Sequence, residues 1–321
     1  MEESEIDYRR VAEIMMPYAM EAEARARDGM RFVHYTSAQS ALDILQSNCI
    51  WMRNATCMND YNEMRHGLRC LIEAFGTEAG QAFNSALNDC YPDLAQELDQ
   101  RFTNVAATLI EHTYLTCVSE HGDDEELYGR LSMWRAYGTS TGVALVFNNG
   151  PFIRPSNALP IWFTPVSYMD ADGFKGQIEA IAASMNHERE LLKTFPREEL
   201  LDIAFRALIF AVVSSKHEGF REEREWRIVH FPALWPSTLD RLPLDQVSLG
   251  GVPQPIFKIP FVDHVDEGFH GATIPELINR VIIGPTQFPV AIRTALSQAL
   301  GNAGMQEPME RVHCSDVTLR V

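Results

Sequence analysis

The sequence lacks the patterns that mark several common classes of protein. Its six cysteines form no CxxC pair, and only four of its 27 basic residues are lysines. Disulfide frameworks and zinc sites need regularly spaced cysteines, so we expect reduced, buried thiols and no metal. The longest strongly apolar run, residues 207–213, is far too short to cross a bilayer, which predicts a protein without a membrane partner.

Glycine-rich phosphate-binding motifs are also missing. The sequence has no GxGxxG and no GxxxxGK[ST], so Rossmann-type dinucleotide binding and P-loop chemistry are unsupported. The net charge is −17, and the long-range field of such a chain repels nucleic acid and anionic membranes. The acidic segment MEESEIDYRR is not a secretory signal, and we expect a soluble cytoplasmic protein.

The hydrophobic content is sufficient for a large core, since 46% of the 321 residues are hydrophobic. Helix and strand patterns do not alternate regularly, which favours an α+β fold over a doubly wound sheet. We predict a single elaborated domain over residues 1–321, with an N-terminal helix in residues 1–30 and a helical insertion at residues 61–112. The strands expected in its bent or split, mostly antiparallel sheet lie at residues 31–35, 114–119, 142–147, 225–231 and 279–284.

The most highly charged segment is FREEREWRIVHF, residues 220–231. Alternate side chains of a strand share a face, so Glu223, Glu225 and Arg227 are expected on one side. Trp226 then faces the core. An edge strand with a Glu–Arg ladder exposed to water explains the same pattern, and that alternative stays open at this point.

Two further segments contain groups that are capable of chemistry. HYT, residues 34–36, ends the first predicted strand, and SMWRAYG predicts a short helix with Trp134 and Tyr137 on one side. The position of His34 fits a purely structural role as well as it fits a functional one. For Trp134 we favour core packing.

In chain order, these segments form the pattern HYTS, MNDYNE, TCVSE, SMWRAYG, GVALVF, a lysine, EREWRIV and VIIGP. From about Arg31 to Pro285, this pattern resembles the bacterial family catalogued as domain of unknown function 2971. That family in turn resembles ADP-ribosyltransferases, which bind NAD in the cleft of a split antiparallel sheet. The resemblance implies an ADP-ribosyltransferase-like fold with helical insertions, and NAD as the substrate.

The resemblance also implies roles for individual residues. The His-Tyr-Glu arrangement of those enzymes is matched by His34, Tyr137 and Glu225, and a Glu-x-Glu pattern by Glu223 and Glu225. Glu225 would stabilise the oxocarbenium-like ion that forms when nicotinamide leaves the ribose, and Glu223 would act as general base for the acceptor. The Ser-Thr-Ser strand motif of the enzymes has no close match, since TCVSE holds only Thr116 and Ser119.

The NAD contacts are implied in the same way. His34 would bind a ribose, and Tyr35 or Tyr137 would stack on the cationic nicotinamide. Arg53 and Arg227 are candidates for the pyrophosphate, although Arg227 is expected to pair with a neighbouring glutamate. The implied NAD-binding residues are His34, Tyr35, Thr36, Arg53, Tyr137 and Arg227.

These implications predict an NAD-dependent ADP-ribosyltransferase or NAD glycohydrolase. The acceptor would be an unknown protein or nucleic acid, in a bacterial conflict or defence system. A non-catalytic ligand-binding or regulatory module on the same fold is the alternative, with the charged residues of strand 225–231 as a structural network. The transferase hypothesis requires His34 and Glu225 to line one cleft, although 190 residues lie between them.

Overall fold

The structure is a computed structural model that describes residues 3–58, 60–154, 156–237 and 240–317. Asn59 of the MNDYNE segment lies outside the described residues. The chain divides into two compact units. Unit 1 comprises residues 1–24, 55–113 and 164–221, and unit 2 comprises residues 25–54, 114–163 and 222–321. The single domain expected over the whole chain stays a prediction.

The strands carry most of the predicted site. In the described residues they are β1 Arg31–Ser37, β2 Cys49–Asn54, β3 Tyr114–His121, β4 Gly142–Phe147, β5 Trp162–Pro165, β6 Ser167–Tyr168, β7 Ser215–Lys216, β8 Glu225–His230, β9 Leu244–Leu249, β10 Val252–Pro260, β11 Ile278–Ile283 and β12 Val312–Cys314. Within the described part of the chain, ten of them form one sheet with the path β12-β11-β4-β1-β3-β2-β10-β9, and β8 pairs with β3 and β5.

The sheet is mixed and mostly antiparallel, as expected for the predicted α+β class. Only β11 and β12 are parallel among the pairs whose direction is described in this sheet. The remaining two strands, β6 and β7, form a short parallel pair of their own. All five strands predicted from the sequence belong to the large sheet, which confirms their positions within two residues.

Strand β3 is the branch point of the sheet. On one edge it pairs with β8 from residue 114 to residue 119. On the other edge its described pairs join residues 119–121 to β1 and residues 114–115 to β2. Between these two pairings, the described register gives residues 116–118 of β3 no strand partner on that edge.

The helices of the described residues are α1 Glu3–Met15, α2 Pro17–Arg27, α3 Ala38–Ser47, α4 Asp60–Phe75, α5 Glu78–Cys90, α6 Leu94–Ala106, α7 Leu131–Tyr137, α8 Gly150–Ile153, α9 Ala171–His187, α10 Arg189–Leu192, α11 Arg197–Val213, α12 Ile274–Leu277 and α13 Pro289–Asn302. Helices α4, α5 and α6 account for the predicted helical segment at 61–112. Pro17 divides the predicted N-terminal helix in two, because proline lacks the N–H that a helix interior needs. None of the helices described is long and apolar enough to span a bilayer.

Trp134 holds α7 against the sheet in unit 2. Its side chain is buried, and its ring meets Tyr35 edge-on with 4.9 Å between ring centroids and packs with Ile282. A Cβ atom on Gly284 would lie 2.8 Å from the indole, and one on Gly129 would lie 2.7 Å from it. The SMWRAYG and VIIGP segments are therefore packing partners, and the core position expected for Trp134 is confirmed.

Candidate functional site

The centre of the candidate site is an ion pair at the start of β8. Arg227 Nε donates a hydrogen bond of 2.7 Å to Glu225 Oε1. The Arg227 side chain is fully buried, and Glu225 is only 5% exposed. A buried charge is tolerated only when it is paired, and each of these two side chains is a bonded partner of the other. Arg227 thus has the neighbouring glutamate as partner that the sequence led us to expect.

The strand register defines which residues share a side with this pair. Ser119 pairs with Glu225 and also with Val33, and Cys117 pairs with Arg227. Directly paired residues point to the same side of a sheet. We call this side the Glu225 face; its members are Val33, Tyr35, Cys117, Ser119, Glu225 and Arg227, together with Arg53, which pairs with Leu115 of β3.

The strand register places His34 on the other side of β1 from Val33, and its sharing of a cleft with Glu225 stays a prediction. His34 follows Val33 directly, so the pleat of β1 turns its side chain away from that of Val33. Its Nδ1–H donates to the Cys117 carbonyl at 2.8 Å, between the residues of β3 that pair with β1 and those that pair with β2. Burial lowers the pKa of His34, and the hydrogen bond to Cys117 opposes that shift. The histidine thus satisfies a backbone carbonyl of β3.

Glu223 is not part of β8, which corrects the expected run of alternating charges. It ends a 3-10 helix at Glu218–Glu223, and β8 begins only at Glu225. The intervening Arg224 has a φ of +44°, in the left-handed region, so regular strand alternation cannot extend back to Glu223. Glu223 Oε1 accepts a hydrogen bond from the Tyr137 hydroxyl at 3.3 Å. The two glutamates therefore have separate surroundings.

Tyr35 is part of the hydrophobic core. Its hydroxyl accepts the backbone N–H of Arg130 at 2.8 Å, and its ring packs on Trp134. Burial raises the pKa of Tyr35 to about 12. Tyr137 is 41% exposed at the end of α7, so of the two tyrosines it is the one with an accessible ring.

The other two predicted NAD contacts also have protein partners. Thr36 pairs with Val143 of β4, on the same side of β1 as His34. Arg53 Nε donates to Gln254 Oε1 at 2.9 Å. The structure therefore brings Glu225, Arg227, Tyr35 and Arg53 to one face and places His34 and Thr36 on the other side of β1.

Arg130 is an important residue that the sequence reasoning missed. Its Nε and Nη2 bond to the two carboxylate oxygens of Glu125, at 2.8 Å and 3.0 Å. Its Nη1 donates to the carbonyls of Glu222 and Glu223, at 2.7 Å and 3.1 Å. Its Nη2 also donates to the Glu120 carbonyl at 2.8 Å. One guanidinium thereby fixes the turn that leads into Glu225.

One signal for Arg130 was present in the sequence. Arg130 is the N-cap of α7 and makes no side-chain cap. Serine, threonine, aspartate and asparagine are preferred at that position, and positive charge is unfavourable at a helix N-terminus. An arginine immediately before a helix therefore indicates that its guanidinium is needed elsewhere.

Unit 1 has an ion pair of its own, formed by a buried lysine and a partly buried glutamate. Lys216, the lysine of the motif pattern, is 3% exposed, and its Nζ lies 3.2 Å from Glu63 Oε1. The ammonium group also lies 4.9 Å from the centroid of the Phe220 ring. Fully buried lysines are rare unless they are paired. With only four lysines in the chain, the position of one beside apolar α11 was a usable signal.

A family model described as Protein of unknown function (DUF2971) matches residues 133–228. The matched residues cover less than a third of the chain and include Trp134, Tyr137, Lys216, Glu225 and Arg227. The chain is similar to that family over this segment. No curated protein and no solved structure matches the chain.

Proposed function

We propose that the Glu225 face binds NAD and that the protein cleaves the bond between nicotinamide and ribose. ADP-ribose then passes to an unknown protein or nucleic-acid acceptor, or to water. The observation that carries the proposal is the Glu225 carboxylate, 5% exposed and held by Arg227 Nε at 2.7 Å. A preorganised carboxylate that is shielded from water is suited to stabilise the positive charge that develops on the ribose.

The proposal assigns roles to other residues near Glu225. Nicotinamide leaves with the electron pair of the broken bond and becomes neutral, and the ribose carbon becomes cationic beside Glu225. Water or an acceptor hydroxyl then adds to that carbon and loses a proton, for which Glu223 is the base. Tyr137, hydrogen-bonded to Glu223 at 3.3 Å, is the aromatic ring for nicotinamide. The proposal still requires His34 to line the same cleft as Glu225, and the hydrogen bond from its Nδ1–H to the Cys117 carbonyl supports this by holding the ring against β3.

The same ion pair also favours a second candidate, a ligand-binding or regulatory module without catalysis. A fully buried Arg227 bonded to Glu225 is a sufficient structural reason for both residues. In such a module the pair stabilises β8, and replacing Glu225 changes stability without removing a reaction.

Nicotinamide release from NAD distinguishes the two candidates. We expect the parent protein to release nicotinamide and Glu225→Gln to do so at least about 100-fold more slowly. Glu120→Gln is the matched control, because Glu120 lies beside Ser119 on the opposite face and its Oε1 accepts the Trp226 indole N–H at 3.1 Å. The control is expected to retain the parent rate.

The thermal melts of all three proteins are measured with and without NAD. Absence of both nicotinamide release and an NAD-dependent melting shift in the parent would overturn the proposal. A parent that binds NAD and releases no nicotinamide would support the non-catalytic module.

A further inference from the structure

Arg224 has a strained backbone between the two glutamates. Its φ of +44° is in the left-handed region, which a residue with a Cβ atom rarely adopts. Three other non-glycine residues of the described chain have a positive φ, and two of them, Asn48 and Asp93, are of the types that tolerate it best. Strain of this kind clusters at functional sites, where the surrounding structure enforces it.

Hydrogen bonds on both sides hold the Arg224 turn. Arg130 binds the carbonyls of the two preceding residues, Glu222 and Glu223. The backbone N–H of Glu120 donates to the Arg224 carbonyl at 2.9 Å. The conformation is therefore fixed by the protein before any ligand arrives.

The Arg224 side chain is loosely held by comparison with the other arginines of the site. It is 48% exposed, and its described ion pair is a 3.6 Å contact from Nη1 to Glu125 Oε1. That oxygen already accepts Arg130 Nε at 2.8 Å. Arg227, in contrast, bonds to Glu225 at 2.7 Å. The Arg224 guanidinium thus lies beside the Glu125–Arg130 pair, and Arg224 directly precedes Glu225 in the chain.

We propose that Arg224 is the anion-binding residue of the Glu225 site and binds the pyrophosphate group of the substrate. This inference rests on the proposed function. A protein with a net charge of −17 repels an anionic dinucleotide, so binding requires a local cation. A guanidinium matches phosphate oxygens bidentately, and Arg224 retains the exposure to do so.

The test compares inorganic pyrophosphate binding, by titration calorimetry, with the kinetics of nicotinamide release. Arg224→Asn removes the charge and keeps a residue that tolerates the left-handed region. We expect roughly 10- to 100-fold weaker pyrophosphate binding and a similar rise in KM for NAD, with kcat within about twofold of the parent. Arg221→Gln, which alters a 70% exposed arginine of the same segment, is the control and is expected to leave both quantities unchanged.

Two glycine substitutions distinguish the effect of relieving backbone strain from the effect of removing the Arg224 charge. Arg224→Gly is expected to melt at or above the parent temperature and to lose pyrophosphate affinity. Glu307→Gly relieves a comparable φ of +51° elsewhere in the chain and is expected to leave that affinity unchanged. Equal pyrophosphate affinity in the parent and in Arg224→Gly would overturn the inference.

The outcomes also distinguish this inference from the proposed function. If pyrophosphate binding depends on Arg224 and the protein releases no nicotinamide, the anion site is supported and the proposed NAD reaction is overturned. If the parent releases nicotinamide and Arg224→Asn has an unchanged KM for NAD, the reaction is supported and the proposed role of Arg224 is overturned. A parent that binds no pyrophosphate also overturns that role.

Discussion

The start of β8 and the turn before it differ sharply, although Glu225 and Glu223 are two residues apart. Glu225 is buried and bonded to a fully buried Arg227. Glu223 is half-buried, and the Arg224 beside it is half exposed with a long contact to its nearest carboxylate. The strand therefore fixes its charged pair in the interior, whereas the turn leaves its charged side chains partly exposed.

The largest expected effect is the loss of stability in Arg227→Met. This change leaves the Glu225 carboxylate without the guanidinium to which it is bonded, and breaking a buried ion pair lowers the free energy of unfolding by about 3 kcal/mol. Urea unfolding measures the loss. Arg224→Met is the control from the turn, and we expect it to change the free energy of unfolding by less than about 0.5 kcal/mol. Similar losses of stability in both variants would show that the charges of the strand and of the turn do not differ in this way.

The next effect tests what holds the turn in place. Arg130→Lys keeps the charge and loses the bidentate contact with Glu125, and a lysine cannot also reach the Glu222 and Glu223 carbonyls. We expect a loss of about 2 kcal/mol in the free energy of unfolding and faster amide exchange of β8's first residues. Arg135→Lys, on the exposed side of α7, serves as control. Unchanged exchange at Glu225 would show that Arg130 does not position it.

A third measurement uses pH and the histidine next to this network. Burial lowers the pKa of His121 to about 4, and the positive charge of Arg31 acts in the same direction. Between about pH 6.5 and pH 4 the unfolded chain therefore binds the proton more readily, so stability falls as the pH falls. His121→Asn should reduce this slope by up to about 1.4 kcal/mol per pH unit. Exposed His112→Asn should leave it unchanged; an unchanged slope in His121→Asn would contradict the prediction.

The smallest expected effect compares two tyrosine hydroxyls. Tyr35→Phe removes the acceptor of the Arg130 backbone N–H in the core, for an expected loss of about 1 kcal/mol in the free energy of unfolding. Tyr137→Phe removes a longer, exposed hydrogen bond to Glu223, and we expect less than about 0.5 kcal/mol. Chemical denaturation of both variants measures the difference. A greater loss of stability in Tyr137→Phe than in Tyr35→Phe would contradict the view that the Tyr35 hydrogen bond belongs to the rigid core and the Tyr137 hydrogen bond to the exposed turn.

The sequence predicted the strands well because their signal is local. GVALVF is a run of apolar and β-branched residues, whereas EWRIVH alternates charged residues with Trp226 and Ile228, and each forms a fully buried strand of the sheet. The pairing of Arg227 with a glutamate was expected for the same reason, since the two residues are neighbours on one side of a strand.

The site was harder to predict because it depends on long-range geometry. Arg224 adopts a left-handed φ without being glycine or asparagine, so no local signal marks the break before β8. Likewise, the face on which His34 lies relative to Glu225 depends on the pairing of three distant strands. The contacts of Arg130 come from two separate segments, which periodicity cannot reveal.

The branched strand β3 has a consequence for the order in which the protein folds. Its partner β8 begins more than a hundred residues later in the chain, so during synthesis one edge of β3 has no partner until residue 230 has left the ribosome. Strand pairings of such long sequence separation form slowly, because a long loop must close, at a cost in entropy, before any stabilising contact forms. An exposed strand edge is also a template for pairing with other chains. Nascent chains that end between β3 and β8 are thus the species most exposed to aggregation and to capture by chaperones.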